Sequence, residues 1–349
     1  MKHLNNLVLI NKNINIDNIL KNTDKLSTLK ILKLYNNIIN ISNEIKFLLK
    51  LKKLYLCYNE IDNIPNEINN LTNLRELKII CNNINNIPSI NNLTKLRILD
   101  LYSNKITYCS NEIKNLTNLK ILNLSKNNIK IFPDKIKNLT NLKQLNLINN
   151  QIKNIDKIKY LNNLEILLLS NNDINIISHN LKYLTKLKEL RLTNNQIKSI
   201  DEINYLSNLE ILYLSNNVIN NISDNIKNLN NLKELYLCSN QIKIIPDNFK
   251  YLNNLTLLFI SENNIITIPN IIKNLTNLEH LNLSFNQIKI ISNNIKYLTN
   301  LIYLNLSYNK IITIPNSIIN CTNLKCLNFE NNDIKYFNPI LINFINLIE

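Results

Sequence analysis

One pattern, LxxLxLxxNxI, returns every 22 or 23 residues and constrains the fold more than any other feature of the sequence. Residues 232–246, LKELYLCSNQIKIIP, form one copy. Copies begin at Leu29, Leu51, Leu74, Leu96, Leu119, Leu142, Leu164, Leu187, Leu209, Leu232, Leu255, Leu278, Leu301 and Leu324. We number the positions of each repeat from this leucine. A fixed period of this length indicates a repeat protein in which each repeat packs against its neighbours.

Within LxLxx, leucines alternate with other residues in the period of two that is typical of a half-buried strand. One such strand is not stable alone. Stacked repeats can pair their strands in parallel, about 4.8 Å apart, and bury a continuous column of leucine and isoleucine. The residues at positions 2, 3, 5, 7 and 8 then face outward and are free to vary.

An asparagine occupies position 9 of every repeat, where the backbone turns inward after the strand. An amide side chain can both donate to and accept from the peptide groups that lose their partners there. We therefore expect a buried ladder of Asn37, Asn59, Asn82, Asn104, Asn127, Asn150, Asn172, Asn195, Asn217, Asn240, Asn263, Asn286, Asn309 and Asn332. Because the chain has no glycine, asparagine is also the residue best suited to left-handed turns, which explains the frequent Asn-Asn pairs.

These motifs resemble the leucine-rich repeat family from about residue 4 onward. The IPxxIxxLxNL second half is similar to the intracellular Ras-suppressor and scribble class, and the repeats with Asp156 and Asp201 resemble the phosphatase-regulatory class. The resemblance implies an α/β leucine-rich repeat solenoid. It would be a curved right-handed stack, with a parallel β-sheet on the concave face and short irregular or helical segments on the convex face.

Three segments are expected along the chain. A degenerate N-terminal repeat or cap spans 1–28, the repeat array spans 29–332, and a C-terminal half-repeat or cap spans 333–349. In the last segment, Leu341, Phe344 and Leu347 continue the apolar spacing. We interpret it as a short amphipathic cap, with a docking segment for a partner or a second copy as the alternative.

The abundance of Asn, Ile, Lys and Tyr indicates an AT-rich genome, such as that of a protist, a parasite or a large DNA virus. Six cysteines occur without CxxC pairs, so no disulfide framework or zinc site is indicated. The N-terminal apolar run is too short for a signal peptide, and no stretch is long enough to span a bilayer. We expect a reduced, cytoplasmic protein, located in the host cytoplasm if the genome is viral or parasitic.

The residues that could perform catalysis are few and scattered. The absence of glycine excludes phosphate-binding loops of the P-loop and dinucleotide types. His280 and Cys326 share one strand position, but they stand two repeats apart, roughly 10 Å, whereas a nucleophile and its base need about 3 Å. We predict no enzyme, no catalytic residue, no metal site and no cofactor.

The outward strand positions are the candidate site. Position 5 carries three consecutive aromatic residues, Tyr213, Tyr236 and Phe259, in a series that is otherwise mainly polar, and neighbouring outward positions add apolar residues. We predict an exposed apolar and aromatic patch for binding a partner. Its residues are Leu168, Arg191, Tyr213, Tyr236, Phe259, Ile211, Leu257 and Tyr303.

Charge on the same face is uneven, with bases concentrated before residue 150 and acids after it. The basic stripe consists of Lys30, Lys33, Lys52, Lys53, Arg75, Lys78 and Arg97. The sequence therefore predicts a monomeric, non-catalytic scaffold that binds a partner protein on its concave face. The resemblance implies signalling partners such as a small GTPase or a phosphatase. If the AT-rich genome is that of a virus or parasite, the partner would be a host protein. The alternative is electrostatic binding of nucleic acid or anionic membrane through the basic stripe, which lacks a recognisable nucleic-acid motif and is poor in arginine.

Overall fold

The computed structural model describes residues 4–10, 26–36, 40–109, 111–336 and 338–348. It divides into two compact halves, Met1–Asp173 and Ile174–Glu349. His3, Asn37 and most of the expected N-terminal cap lie outside the described residues.

In the first half, each strand begins near position 3 of its repeat and pairs in parallel with the strand of the next repeat. The pairing follows chain order because consecutive repeats stack directly on each other. The strands are β1 (Asn6–Ile10), β2 (Ile31–Tyr35), β3 (Lys53–Cys57), β4 (Glu76–Lys78), β5 (Ile98–Asp100), β6 (Ile121–Asn123), β7 (Gln144–Asn146) and β8 (Ile166–Leu168).

The second half repeats this arrangement with a parallel sheet of its own residues. Its strands are β9 (Glu189–Arg191), β10 (Ile211–Tyr213), β11 (Glu234–Tyr236), β12 (Leu257–Phe259), β13 (His280–Asn282), β14 (Tyr303–Asn305) and β15 (Cys326–Asn328). The predicted α/β leucine-rich repeat architecture is confirmed, with parallel strands on one side of each repeat and short helical turns in the return segments.

The return segments contain 3-10 helices, which agrees with the expected short helical connections. Prolines such as Pro65 and serines such as Ser178 precede many of them, and these residues fix an extended backbone before the turn begins. The helices are η1 (Asn43–Phe47), η2 (Asn66–Asn70), η3 (Asn111–Asn115), η4 (Asp134–Asn138), η5 (Asp156–Tyr160), η6 (His179–Tyr183), η7 (Asp201–Tyr205), η8 (Asp224–Asn228), η9 (Asp247–Tyr251), η10 (Asn270–Asn274), η11 (Asn293–Tyr297) and η12 (Asn316–Asn320).

The core of each half is a column of leucine and isoleucine. Leu142, Leu145 and Leu147, from one repeat of the first half, are 0% exposed, and Leu232 and Leu235 in the second half are equally buried. The predicted inward orientation of the leucines is therefore confirmed. Burial of this kind contributes roughly 1.5–3 kcal/mol per large apolar side chain, so the stacked repeats stabilise one another.

The asparagine ladder is also confirmed for the described repeats. Most of its members are buried, and Asn240 and Asn332 are half-buried. The residue that precedes the ladder asparagine has a φ between 52° and 56° in all fourteen repeats. This residue is an asparagine in only six of them, so the expected link between Asn-Asn pairs and left-handed turns holds in part. The others include Lys126, Glu262 and Phe285.

An α-helix, α1 (Pro339–Ile348), follows the last strand and packs against η12 and β15. Leu341 is buried, whereas Leu347 is exposed. The helix contains no charged residue. Whether this segment serves as a cap or as a docking segment stays a prediction.

Candidate protein-binding site

The strand register of the second half places the position 5 side chains in one row. Tyr213 on β10 is paired with Arg191 on β9 and with Tyr236 on β11, and Tyr236 is paired with Phe259 on β12. Residues that are paired in a parallel sheet point to the same face, because side chains alternate along each strand in step. We call Arg191, Tyr213, Tyr236 and Phe259 the aromatic row.

The members of the aromatic row are in contact with each other. The rings of Tyr213 and Tyr236 stack with centroids 4.1 Å apart and an interplanar angle of 6°. Phe259 meets Tyr236 edge to face at 5.5 Å. On the other side, the Arg191 guanidinium lies 4.5 Å from the centroid of the Tyr213 ring. The row is thus a continuous stack of flat groups in favourable geometries.

Acidic residues at position 3 hold the row in place. Glu189 accepts a hydrogen bond from Nε of Arg191, which orients the guanidinium over Tyr213. Glu234 Oε2 accepts a hydrogen bond of 3.1 Å from the Tyr236 hydroxyl. Burial raises the pKa of Tyr236, and its hydrogen bonds with Tyr213 and Glu234 raise it further.

The side chains at position 3 form a second row beside the aromatic row. His280 on β13 is paired with both Leu257 on β12 and Tyr303 on β14. The Tyr303 ring lies 6.5 Å from Phe259 and 6.1 Å from His280. Tyr303 therefore extends the aromatic surface beyond the aromatic row.

The predicted patch is half-buried, whereas the sequence suggested that it would be exposed. All eight predicted binding residues have intermediate exposure. In the aromatic row the reason is mutual covering, because rings that stack at strand spacing remove each other's faces from water. The structure brings together Arg191, Ile211, Tyr213, Tyr236, Leu257, Phe259 and Tyr303 in the second half. Leu168 belongs to β8 of the first half, where it is paired with Asn146.

The basic stripe lies in the first half and separates into two parts. Lys30, Lys52, Arg75 and Arg97 occupy position 2 and are exposed. The main-chain N–H groups of Lys52, Arg75 and Arg97 each donate to the carbonyl of the position 2 residue in the preceding repeat, at 2.8 Å. Lys120 and Lys143 continue the same ladder, at 2.8 and 2.9 Å. Position 2 therefore carries six cations in six consecutive repeats, spaced about 4.8 Å apart.

The other three lysines of the stripe are half-buried around Tyr55. The ammonium groups of Lys33 and Lys78 lie 5.0 Å and 5.2 Å from the centroid of the Tyr55 ring, one from each neighbouring strand. Lys53 forms an ion pair of 2.7 Å with Glu76, which also accepts a hydrogen bond from the Tyr55 hydroxyl. These three lysines are thus engaged within the protein, which leaves the position 2 row as the accessible part of the stripe.

Glu76, the acidic residue of the cluster around Tyr55, has a lowered pKa. Burial acts to raise the pKa of Glu76, but its hydrogen bonds with Lys53 and Tyr55 outweigh that effect and hold the pKa below its usual value. Burial also raises the pKa of Asp100, which is paired with Lys78 on the adjacent strand. Our sequence-based predictions missed these contacts between a glutamate and its outward neighbours. Their sequence signal is a glutamate at position 3 combined with a cation or tyrosine at position 5. It recurs at Glu189 and Glu234.

The histidine and cysteine side chains that could take part in catalysis or metal binding are dispersed. Tyr303 lies between His280 and Cys326 on the intervening strand, as their spacing predicted. All six cysteines are free. Within the described part of the chain, no cluster of three or more His, Cys, Asp or Glu side chains is arranged to bind a metal ion. No helix among the described residues has the length and apolar character to cross a membrane.

Known proteins share this architecture. Family profiles described as leucine-rich repeat match residues 49–106, 81–200, 185–242, 207–265, 230–288 and 300–321. Among solved structures, the chain is 32% identical to a leucine-rich repeat protein of Leptospira interrogans, with a TM-score of 0.89 over 95% of this chain and 83% of that one. No curated protein sequence matches significantly.

Two further solved structures are similar over most of this chain. The Listeria monocytogenes internalin InlF is 30% identical, with a TM-score of 0.72 over 94% of this chain and 87% of that one. The plant peptide hormone receptor RGFR1 in complex with RGF2 is 26% identical, with a TM-score of 0.74 over 90% of this chain and 57% of that one. The family profiles together match well over half of the chain, and this protein belongs to the leucine-rich repeat family.

Proposed function

We propose that this protein is a non-catalytic scaffold that binds a partner protein on the outward face of its sheet, with the aromatic row as the anchor. The observation that carries the proposal is the continuous stack of Arg191, Tyr213, Tyr236 and Phe259. Tyrosine and arginine are enriched among the residues that dominate binding energy. The stack is already ordered by its own contacts and by two glutamates, so little side-chain entropy is lost when a partner covers it.

The surroundings of the row indicate the chemistry of the partner. Glu189, Glu210, Glu234 and Glu279 lie on the same face, and the Glu210 carboxylate is paired with Lys233 at 2.7 Å. A complementary partner would present an apolar or aromatic group to the rings and basic groups to the acidic rim. The plant peptide hormone receptor RGFR1, which has a similar fold, is solved in complex with RGF2, and this supports a protein or peptide ligand for the present chain. A small GTPase, a phosphatase or a host protein remains our hypothesis for the partner.

Affinity purification from the native cell tests this proposal. The tagged protein is compared with a variant that carries Tyr213→Ala, Tyr236→Ala and Phe259→Ala. We expect the variant to lose the main co-purified protein, because truncation of central anchors commonly costs 2 kcal/mol or more each, roughly 30-fold in affinity. The control variant carries Tyr183→Ala, Tyr251→Ala and Tyr297→Ala, which removes three exposed tyrosines from the 3-10 helices. Equal recovery of the partner with both variants would place the binding site elsewhere.

A second candidate function rests on the position 2 row of the first half. Six evenly spaced cations favour a polyanion, either nucleic acid or an anionic membrane. Lys143 is paired with Glu165 at 2.6 Å, which leaves Lys30, Lys52, Arg75, Arg97 and Lys120 as the available charges. Binding of single-stranded RNA should weaken steeply with added salt, and Lys52→Gln with Arg75→Gln should reduce the salt dependence. Salt-independent binding would contradict this function.

A further inference from the structure

The residue that follows the last 3-10 helix differs from its counterparts. Cys321 follows η12, whereas a leucine follows each of the other eleven 3-10 helices. The Cys321 thiol donates a hydrogen bond of 3.3 Å to the carbonyl of Ile295 in the preceding repeat, which a leucine side chain cannot do. The ψ angle is 70° at Cys321, compared with 54° at Leu275 and 60° at Leu298. The change from leucine to cysteine is therefore accompanied by a shifted turn.

A row of side-chain hydrogen bonds between repeats is interrupted at this turn. Nine asparagines that stand immediately before position 1, among them Asn277 and Asn300, donate from Nδ2 to a main-chain carbonyl of the preceding repeat at 2.7–3.0 Å. Asn323 occupies the same place, but its amide has no hydrogen-bond partner among the described residues. The corresponding acceptor, the Thr299 carbonyl, belongs to the preceding repeat, so the end of the array does not explain the missing bond.

A cleft of about 380 Å³ lies beside the shifted turn. This volume falls within the range of small-molecule sites, roughly 300–1,000 Å³. The walls of the cleft come from the last three repeats and include Glu279, Asn300, Ile302, Thr322, Asn323 and Lys325. The unpaired amide of Asn323 is thus part of a cavity that also contains an acid and a base.

The two charged residues of the cleft do not pair with each other. Glu279, Ile302 and Lys325 occupy position 2 in three consecutive repeats. Elsewhere in this row, opposite charges in adjacent repeats pair directly, as Lys233 and Glu210 do at 2.7 Å. Here Ile302 stands between the two charges. Glu279 and Lys325 are both exposed, and neither forms an ion pair within the described part of the chain, so each is available to a ligand of opposite charge.

The spacing of these charges indicates the size of the ligand. Glu279 and Lys325 stand two strands apart, about 9.6 Å along the sheet. The ammonium and carboxylate groups of a free amino acid are attached to the same carbon atom, which is too close to match this spacing. An extended peptide spans about 3.3 Å per residue, so the termini of a tripeptide are about 10 Å apart.

We propose that this cleft binds a short zwitterionic peptide of about three residues with both termini free. The ammonium group of the peptide pairs with Glu279, its carboxylate pairs with Lys325, and an apolar side chain contacts Ile302. The Thr322 hydroxyl and the Asn323 amide can each donate and accept, as the peptide groups between the termini require. The cleft shares no residue with the aromatic row, so this site is independent of partner binding there.

Isothermal titration calorimetry of the full chain with the tripeptide Ala-Leu-Ala tests the proposal. We expect saturable binding of one peptide per chain. The same peptide acetylated at its N-terminus and amidated at its C-terminus should bind at least tenfold more weakly, because it lacks both terminal charges. Free leucine should also bind at least tenfold more weakly, because it cannot reach both charged side chains.

Charge variants with matched controls locate the site. Glu279→Gln and Lys325→Gln should each weaken binding of Ala-Leu-Ala about tenfold, because each removes one charge-assisted interaction. Glu165→Gln and Lys188→Gln remove the same charges from position 2 of other repeats and should leave binding unchanged.

Cys321→Leu tests the origin of the cleft without a change of charge. Leucine is the residue at this place in the other repeats, so we expect the variant to fold, with a urea unfolding midpoint close to that of the wild type. It should restore the hydrogen bond from Asn323, close the cleft and weaken peptide binding at least tenfold.

Four results would overturn the proposal. The wild-type chain shows no saturable binding of Ala-Leu-Ala, the blocked peptide or free leucine binds as tightly as Ala-Leu-Ala, the cleft variants and their controls are affected equally, or Cys321→Leu binds the peptide like the wild type.

Discussion

At the scale of single residues, each ladder asparagine joins two repeats through one side chain. Asn217 Nδ2 donates to the carbonyl of Leu192 in the preceding repeat at 3.0 Å and to Leu214 in its own repeat at 2.9 Å. Its Oδ1 accepts from the N–H of Ile197 in the preceding repeat at 3.0 Å. The amide thus satisfies backbone groups that the end of the strand leaves unpaired in the core.

Asn217→Ala should lower the free energy of unfolding by about 2–4 kcal/mol, because buried backbone donors and acceptors lose their partners. Urea unfolding followed by circular dichroism measures the change. The control Asn228→Ala removes an exposed asparagine at the end of η8 and should change stability by less than about 0.5 kcal/mol. Similar losses for the two variants would contradict the structural role of the ladder.

The residues with positive φ that precede the ladder asparagines give a prediction of increased stability. Lys126 is exposed and has a φ of 54°, a conformation that costs most residues roughly 1–2 kcal/mol and asparagine less. Lys126→Asn should therefore stabilise the protein by up to about 1 kcal/mol. Thermal and urea unfolding measure the gain, with Lys130→Asn, which also removes an exposed lysine, as the comparison. No difference between the two variants would mean that neighbouring contacts already offset the strain.

At the scale of strands and helices, the outward face is organised by contacts between paired residues. Tyr55 on β3 receives a lysine from each neighbouring strand, and Glu76 on β4 connects the Tyr55 hydroxyl to Lys53. Such cross-strand pairs are the unit of side-chain stabilisation in a sheet. The basic stripe therefore has a structural part around Tyr55 in addition to its exposed row.

Acid titration tests this cluster. Because the pKa of Glu76 is lower in the folded protein than in the unfolded chain, its contribution to stability is present above the unfolded pKa and is lost as the pH falls through the folded pKa. Glu76→Gln should be less stable than the wild type at neutral pH, and the difference should shrink as the pH falls to about 3. The urea unfolding midpoints of the wild type and of Glu76→Gln, at neutral pH and at about pH 3, measure this difference. A constant difference across this range would contradict the role of the Glu76 charge.

At the scale of the whole molecule, the balance of 40 basic and 25 acidic residues gives a formal net charge of +15. Charge of one sign opposes association between copies, so we predict a monomer in solution. Gel filtration at several protein concentrations should give one elution volume at low salt. Elution that shifts earlier with concentration would instead indicate self-assembly into a rod.

The sequence by itself determined the repeat, the buried leucine column, the asparagine ladder and the adjacency of Tyr213, Tyr236 and Phe259. It could do so because each repeat contacts its neighbours in register, so a spacing of 22 or 23 residues becomes one step along the sheet. Only the tertiary structure decided the half-burial of the aromatic row, the enclosure of Tyr55 by two lysines, and the exposure of Ile244 and Ile290 in their turns. These features depend on side-chain rotamers and turn geometry, which the repeat period leaves open.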